Sequence, residues 1–226
     1  ALAVPLAARL GVNAAGAIVG YVAIVVGLTV VAALGLLYPA GILGARMRVA
    51  TFAAYCAPAQ AVAFAGRSSL AALPVVVGSA EQAGLSPTAT RVVLPIATTI
   101  FHFGTVIAHT VGTLFLAQLF NVALSIPQLA TVLVTTVIAS FAVPGVPGGS
   151  VIAMVPVLAS VGLPLDGIGI LLAVDAVPDM FRTTANVTGA MVLSAITDRP
   201  AALPGDTPVR PAPAPGVASF DQEVGP

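Results

Sequence analysis

The stretch VDAVPDMFRTTANVTGA, Val174 to Ala190, puts two aspartates, an arginine and an asparagine inside an otherwise apolar run, with GIGILLA before it and MVLSAI after it. On a helix Asp175, Asp179, Arg182 and Asn186 fall at i, i+4, i+7 and i+11, so all four project from one face. A lone charge at the centre of a spanning helix costs about 2.5 to 3.5 kcal/mol on insertion scales. Three charges at that depth require that they face one another, a cavity or a ligand. The face must look inward.

The surroundings make this a membrane setting. Of 226 residues, 58% are hydrophobic and 7% charged, against roughly 25% charged in an ordinary soluble domain, and the mean hydropathy is +1.08. No charged residue occurs from Leu10 to Ala45, from Val49 to Gly66 or from Val92 to Leu165, and about 20 apolar residues suffice to cross a bilayer. Net charge is zero, and the eight basic residues are all arginine, thinly spread. Nucleic-acid binding and a polybasic lipid patch therefore have no support. The single cysteine, Cys56, excludes an internal disulfide and reads as a small buried hydrophobe. Neither HExxH nor GxSxG occurs, and neither histidine has an evident nucleophile beside it, so the chain is not read as an enzyme. ALAVPLAARLG at the start lacks a basic region ahead of its apolar part and is not a signal peptide; the chain reads as a cut through a longer membrane protein.

Residues 14–44 predict one long spanning helix that stops near Tyr38-Pro39, because a residue before proline is pushed out of helical geometry. Residues 1–13 read as the end of a preceding membrane helix. Val49 to Gly66 is long enough to span once, bent at Pro58. RSSLAALPVVVGSAEQ, by contrast, offers too few apolar residues to span and predicts a re-entrant hairpin near 58–80 with a polar tip at GRSS. A spanning segment at 92–120 is broken at FHFGT. The cluster AVPGVPGGS, Ala142 to Ser150, separates two short arms and predicts a second hairpin near 129–164. The last segment, 167–197, carries the opening motif as the second broken helix. Hairpin followed by broken helix, twice, is the pattern of a transporter's binding site, because irregular backbone at membrane depth survives only where it lines a cavity. The fold class is all-α: spanning helices, two re-entrant hairpins and two broken helices. Residues 198–226 form a Pro-rich tail of disordered composition.

Within that cavity Arg182 offers a planar fork for a carboxylate, Asp179 an acceptor for an ammonium group, and Thr183 and Asn186 neutral hydrogen bonds. Together they describe an amino acid. An internal Asp179–Arg182 pair at i+3, with a packing asparagine, is the bland alternative.

GVPGGS followed by VDAVPDMFRTTANVTG, with RSSLAALP and a central Gly-Thr in the preceding broken helix, resembles the glutamate transporter family, the dicarboxylate/amino acid:cation symporters, from about Gly16 to Thr197. The resemblance implies an elevator-type secondary transporter in a homotrimer, set in the plasma or inner membrane with its C-terminus cytoplasmic. It makes 14–45 a scaffold-type helix and 49–197 a transport-type domain. It implies that Asp179 holds the substrate amino group and Arg182 an acidic side chain, with Thr183, Asn186 and Thr105 as further contacts. Ser68 and Ser69 match part of the first tip's serine run, whose third place is Leu70. Val146, Pro147 and Gly148 match the gate over substrate, and Asp175 matches an aspartate that orients Arg182. Retention of Arg182 and Asp179 implies aspartate or glutamate as substrate. A C4-dicarboxylate carrier, and a truncated or degenerate member that keeps the fold without transporting, stay open, as does an ion pore.

The match breaks at two places. Where the family reads Asn-Met-Asp-Gly-Thr, this chain reads Phe101-His102-Phe103-Gly104-Thr105, and where it reads Asn-Val-x-Gly-Asp, this chain ends Gly189-Ala190. The missing side chains supply sodium's oxygens in the family, so sodium sites built on them are expected to be absent. A residual cation position near Thr99 and His102 is retained as an expectation. The coupling ion stays open between sodium and a proton, which His102 suits by its ordinary titration range, with His109 at i+7 on the same face.

Overall fold

The computed structural model describes residues 3–198, with side chains from Ala15 onward. Every described element is helical. Helix α1 (Ala3–Ala32) passes into a π-helical turn (Ala33–Leu37) and then α2 (Tyr38–Gly44). The helix does not stop at Tyr38-Pro39 as the sequence suggests. Proline lacks an N–H and clashes with the carbonyl four residues back, and the π turn absorbs both, with the Tyr38 N–H reaching the Ala33 carbonyl five residues behind. Residues 3–13 continue into the same helix rather than ending a separate one. The device recurs at Ala89–Val93, ahead of Pro95 in α5 (Leu94–Ile100).

The first hairpin is α3 (Val49–Gly66) against α4 (Ser69–Gln82), so Val49–Gly66 is its first arm rather than a separate span before a hairpin at 58–80. Its tip is built locally: Arg67 adopts the left-handed region at φ 50°, and the Ser68 hydroxyl accepts the Ala71 N–H at 3.1 Å as the N-cap of α4. The first broken helix is α5 and α6 (Phe103–Leu119), interrupted at Phe101-His102. The second hairpin has α7 (Ile126–Ser140) as one arm. Its other arm is split into α8 (Gly149–Ile152) and α9 (Val155–Ser160) ahead of Pro156.

The final segment is α10 (Gly167–Val174) and α11 (Ala176–Thr197). Its interruption falls at Asp175, ahead of DMFRTTANVTG and not within it. Pro178 supplies no N–H for the Val174 carbonyl, so α10 ends there, while Asp179 N–H still reaches the Asp175 carbonyl at 2.8 Å. The motif therefore rides on 22 unbroken helical residues.

Helix α11 is the centre of the packing. On one side Phe52, Cys56 and Ala63 of α3 with Val76 of α4 meet Val187 and Met191. On the other, Tyr21 and Val25 of α1 join Leu116, Val132, Leu158 and Leu171. Tyr21 stacks on Phe115 with centroids 4.9 Å apart. Helices α1 and α2 both pack along α11. Three helical stretches, Ala15–Gly44, Val49–Gly66 and Ala89–Leu119, are long and apolar enough to cross a membrane. Leu43 is 77% and Ile126 83% exposed, hydrocarbon that water would not tolerate over such an area and lipid would. The Pro-rich tail expected from 198 lies, beyond Asp198 itself, outside the described residues.

Candidate functional site

Asp175, Asp179, Arg182 and Asn186 are all buried, none more than 5% exposed, and share one face of the last segment. Arg182 is the hub. Its Nη1 donates to Asp175 Oδ1 at 3.1 Å and its Nη2 to Asp175 Oδ2 at 2.9 Å, a two-pronged grip that fixes the guanidinium plane. Nη2 also donates to Asp179 Oδ1 at 2.7 Å. The same Asp179 oxygen accepts from the Thr183 hydroxyl at 3.3 Å, and Oδ2 accepts the Gly148 N–H at 3.4 Å. The bland pairing of Asp179 with Arg182 is thus present, and Asp175, which it left without a partner, takes the larger share of the guanidinium.

The broken helix meets α11 at close range. Gly104 N–H donates to Asn186 Oδ1 at 2.7 Å, and Asn186 Nδ2 donates to Thr105 Oγ1 at 3.4 Å. A Cβ on Gly104 would stand 2.8 Å from the Arg182 carbonyl oxygen and 2.9 Å from its Cα. Only glycine lets the two backbones approach so near.

The two hairpin tips meet over this cluster. The Ser68 hydroxyl donates to the Gly145 carbonyl at 2.7 Å, and Leu70 N–H reaches the same oxygen at 3.4 Å. Beneath them is a small cavity of about 10 Å³, lined by Ser69, Thr105, Val146, Asp179, Arg182, Thr183 and Asn186 together with Arg67 and His102. Ser68 sits beside it, engaged in the tip contact. Gly148 reaches Asp179 through its N–H but, like exposed Pro147, does not line the cavity. Asp175 lies behind Arg182. Sequence reasoning placed Arg67 in the polar tip but assigned it no role, although an arginine at the tip of an otherwise apolar hairpin was its signal. It also missed the Gly104 N–H and the Gly145 carbonyl, because backbone groups leave no mark in residue identity.

Two residues mark the expected cation position, Thr99 and His102. Thr99 is exposed, and its hydroxyl donates back into its own helix at Ile96 O, 2.9 Å, and Pro95 O, 3.2 Å. His102 is buried, with Nδ1 3.3 Å from the Ile100 carbonyl.

The model of the sodium:dicarboxylate symporter family matches residues 1–200. The chain belongs to that family. It is 42% identical over 123 residues to excitatory amino acid transporter 3 of Oryctolagus cuniculus, covering 54% of this chain and 24% of that protein. It is 40% identical over 139 residues to the human transporter of the same name, 61% of this chain and 26% of the relative. Human excitatory amino acid transporter 1 is 40% identical over 123 residues, 54% and 23%. The matches thus span about a quarter of the length of these relatives.

The family name implies sodium, and the side chains at the seam of broken helix and α11 do not fit it. The Phe101 ring lies directly on Gly189, where any Cβ would collide with it, and it stacks against Phe103 with centroids 6.3 Å apart. Ala190 beside them is fully buried. Two rings and a methyl group offer no oxygen, the donor that hard cations require. Among the described residues, no group of three or more His, Cys, Asp or Glu gathers elsewhere.

Proposed function

We propose that this chain forms the solute-binding part of a secondary transporter for an acidic amino acid, aspartate or glutamate. The observation that carries the reading is the placement of Arg182 and Asp179, opposite charges 2.7 Å apart, on the wall of one small cavity capped by two hairpin tips. Here the charges are spent on each other. A zwitterion with a side-chain carboxylate can replace that internal contact by two of its own, carboxylate to Arg182 and ammonium to Asp179, with Thr183, Thr105 and Asn186 supplying neutral hydrogen bonds. Asp175 keeps the guanidinium plane fixed throughout. A plain dicarboxylate would leave Asp179 facing like charge, which disfavours it.

In this reading the tips at 66–68 and 141–148 are the two covers of the cavity. The body carrying them moves past a static part of a homotrimer in the plasma or inner membrane. The relatives, excitatory amino acid transporters by name, support the substrate class. The hydrocarbon seam at Phe101, Phe103 and Ala190 favours a second reading, a member that holds solute without sodium-driven movement. Calorimetric titration of the purified protein with aspartate and with succinate, in sodium-free and sodium-containing buffer, tests both. Aspartate binding that ignores sodium and is lost in Arg182→Ala is the expected result; uptake into proteoliposomes then separates carrier from binder. Absence of aspartate binding in either buffer refutes the substrate reading.

A further inference from the structure

The tip of the second hairpin, 141–148, hangs between two bases, Ser140 at the end of α7 and Ser150 in α8. Each base faces a buried histidine of the first broken helix. His109, 1% exposed, places Nε2 2.8 Å from the Ser150 carbonyl oxygen and 3.1 Å from its hydroxyl. A carbonyl can only accept, so Nε2 carries the proton, and Nδ1, which has no partner, is bare. His102, the N-cap of α6 seven residues earlier, directs Nδ1 toward the Ile100 carbonyl, and its ring also faces the Ser140 backbone. Its Nε2 is likewise without a partner. Neither ring hydrogen-bonds Asp175, Asp179 or Arg182.

What these contacts hold is the cover of the cavity. Val143 to Val146 line the cavity, the Gly145 carbonyl receives the Ser68 hydroxyl, and the Gly148 N–H, two residues before Ser150, rests on Asp179. The tip is tied to the first hairpin by the Ser68 hydroxyl at 2.7 Å, and its remaining contacts, Gly148–Asp179 and Leu70–Gly145, are both long at 3.4 Å. The His109–Ser150 bond, at 2.8 Å and out of water's reach, is the firmest tie between the hairpin's second arm and α6. We propose that His109 is a positioning residue for the gate: its Nε2–H pins the second base of the hairpin tip to α6 and so keeps the tip closed over the cavity. The proposal rests on the reading of this hairpin as the cover of a solute site.

The test places spin labels at Phe64→Cys on the first hairpin and Val146→Cys on the second tip of the full-length protein, where buried Cys56 is out of the label's reach. Distances are read without substrate, then aspartate affinity is measured on the unlabelled variants. His109→Leu, which keeps bulk and removes the N–H, is expected to shift the labels toward longer, broader distances and to weaken aspartate binding about tenfold, the loss of one buried hydrogen bond. His109→Gln, which restores a donor, is expected to recover both. Ser150→Ala, which leaves the carbonyl in place, changes neither. Unaltered distances in His109→Leu overturn the proposal while leaving the substrate reading intact; an empty protein whose gate responds but which never binds aspartate does the reverse. Where His109→Leu does not fold, nitrogen-15 NMR of the unaltered protein decides. The Nε2–H tautomer supports the clamp, and an Nδ1–H tautomer overturns it.

Discussion

Asp175→Asn isolates what the two-pronged grip on Arg182 contributes. The guanidinium makes three hydrogen bonds to carboxylates, two of them to Asp175, with both side chains no more than 4% exposed. Asparagine keeps one acceptor and turns the other oxygen into an NH2 group that points its protons at the guanidinium N–H. One charged hydrogen bond, worth about 1.5–3 kcal/mol, is lost. Full rupture of a buried pair costs about 3–5 kcal/mol, but Asp179 at 2.7 Å still neutralises the arginine, so the loss stays near the lower bound, about 2–3 kcal/mol. A loss of about 2 kcal/mol is roughly 30-fold in an equilibrium constant. The effect on binding has a second source: with Asp175 neutral, Arg182 leans wholly on Asp179, the group an incoming ammonium must win. The expected outcome is a lower midpoint of thermal unfolding in micelles and aspartate binding weakened by on the order of 10- to 100-fold. An Asp175→Asn protein with parental stability and parental affinity would show that the grip neither holds the fold nor orients the arginine.

Gly104→Ala forces a Cβ against backbone atoms of Arg182 at 2.8 and 2.9 Å, an overpacking that costs about 1–3 kcal/mol. Unfolding in micelles should show it, with parental behaviour as the refuting result. Gly189→Ala drives its methyl into the Phe101 ring; paired with Phe101→Ala the loss should shrink, and a double-mutant cycle with no coupling contradicts the packing described. Ser68→Ala removes both the N-cap of α4 and the bond to Gly145. About 1 kcal/mol of stability goes with the cap, and faster aspartate release, read by stopped flow, goes with the looser tips.

How much of this was legible beforehand varies with the physics involved. The inward face of Asp175, Asp179, Arg182 and Asn186 was readable because helical periodicity is local and charge in lipid is costly, and the hairpin tips were readable because Gly, Pro and Ser mark turns. Pro39 misled, since the rule that proline ends a helix says nothing of a π turn that lets the chain pass. The interruption of the last segment was misplaced for the opposite reason: the residue responsible, Pro178, acts on a carbonyl four positions earlier, at Val174. That Asp175 is the arginine's main partner was expected only through the family resemblance, which made it the residue that orients Arg182, and was not legible from spacing. Spacings of seven and three both suit a helix, and only three-dimensional placement of the fork decides between them. His109 with Ser150, 41 residues apart, belongs with it.

The closure of Arg182 on its own aspartates bears on how one site could serve two journeys. A carrier of the proposed kind must cross the membrane loaded and return empty, and an arginine stripped of its substrate's carboxylate at that depth would keep Asp175 but lose a buried charged hydrogen bond, worth about 1.5–3 kcal/mol. Asp179 removes the difficulty, because the carboxylate that would take the ammonium of a bound solute is 2.7 Å from the guanidinium when none is there. Asp175 holds the arginine at one place in both conditions, so the exchange needs only Asp179 to change partners. The consequence is a specific asymmetry: Asp179→Asn should impair binding and the empty return together, since both draw on that carboxylate. Exchange of aspartate across proteoliposomes, which bypasses the empty return, would then be less impaired than net uptake. Equal impairment of exchange and net uptake would mean that the Asp179–Arg182 contact has no part in the empty state.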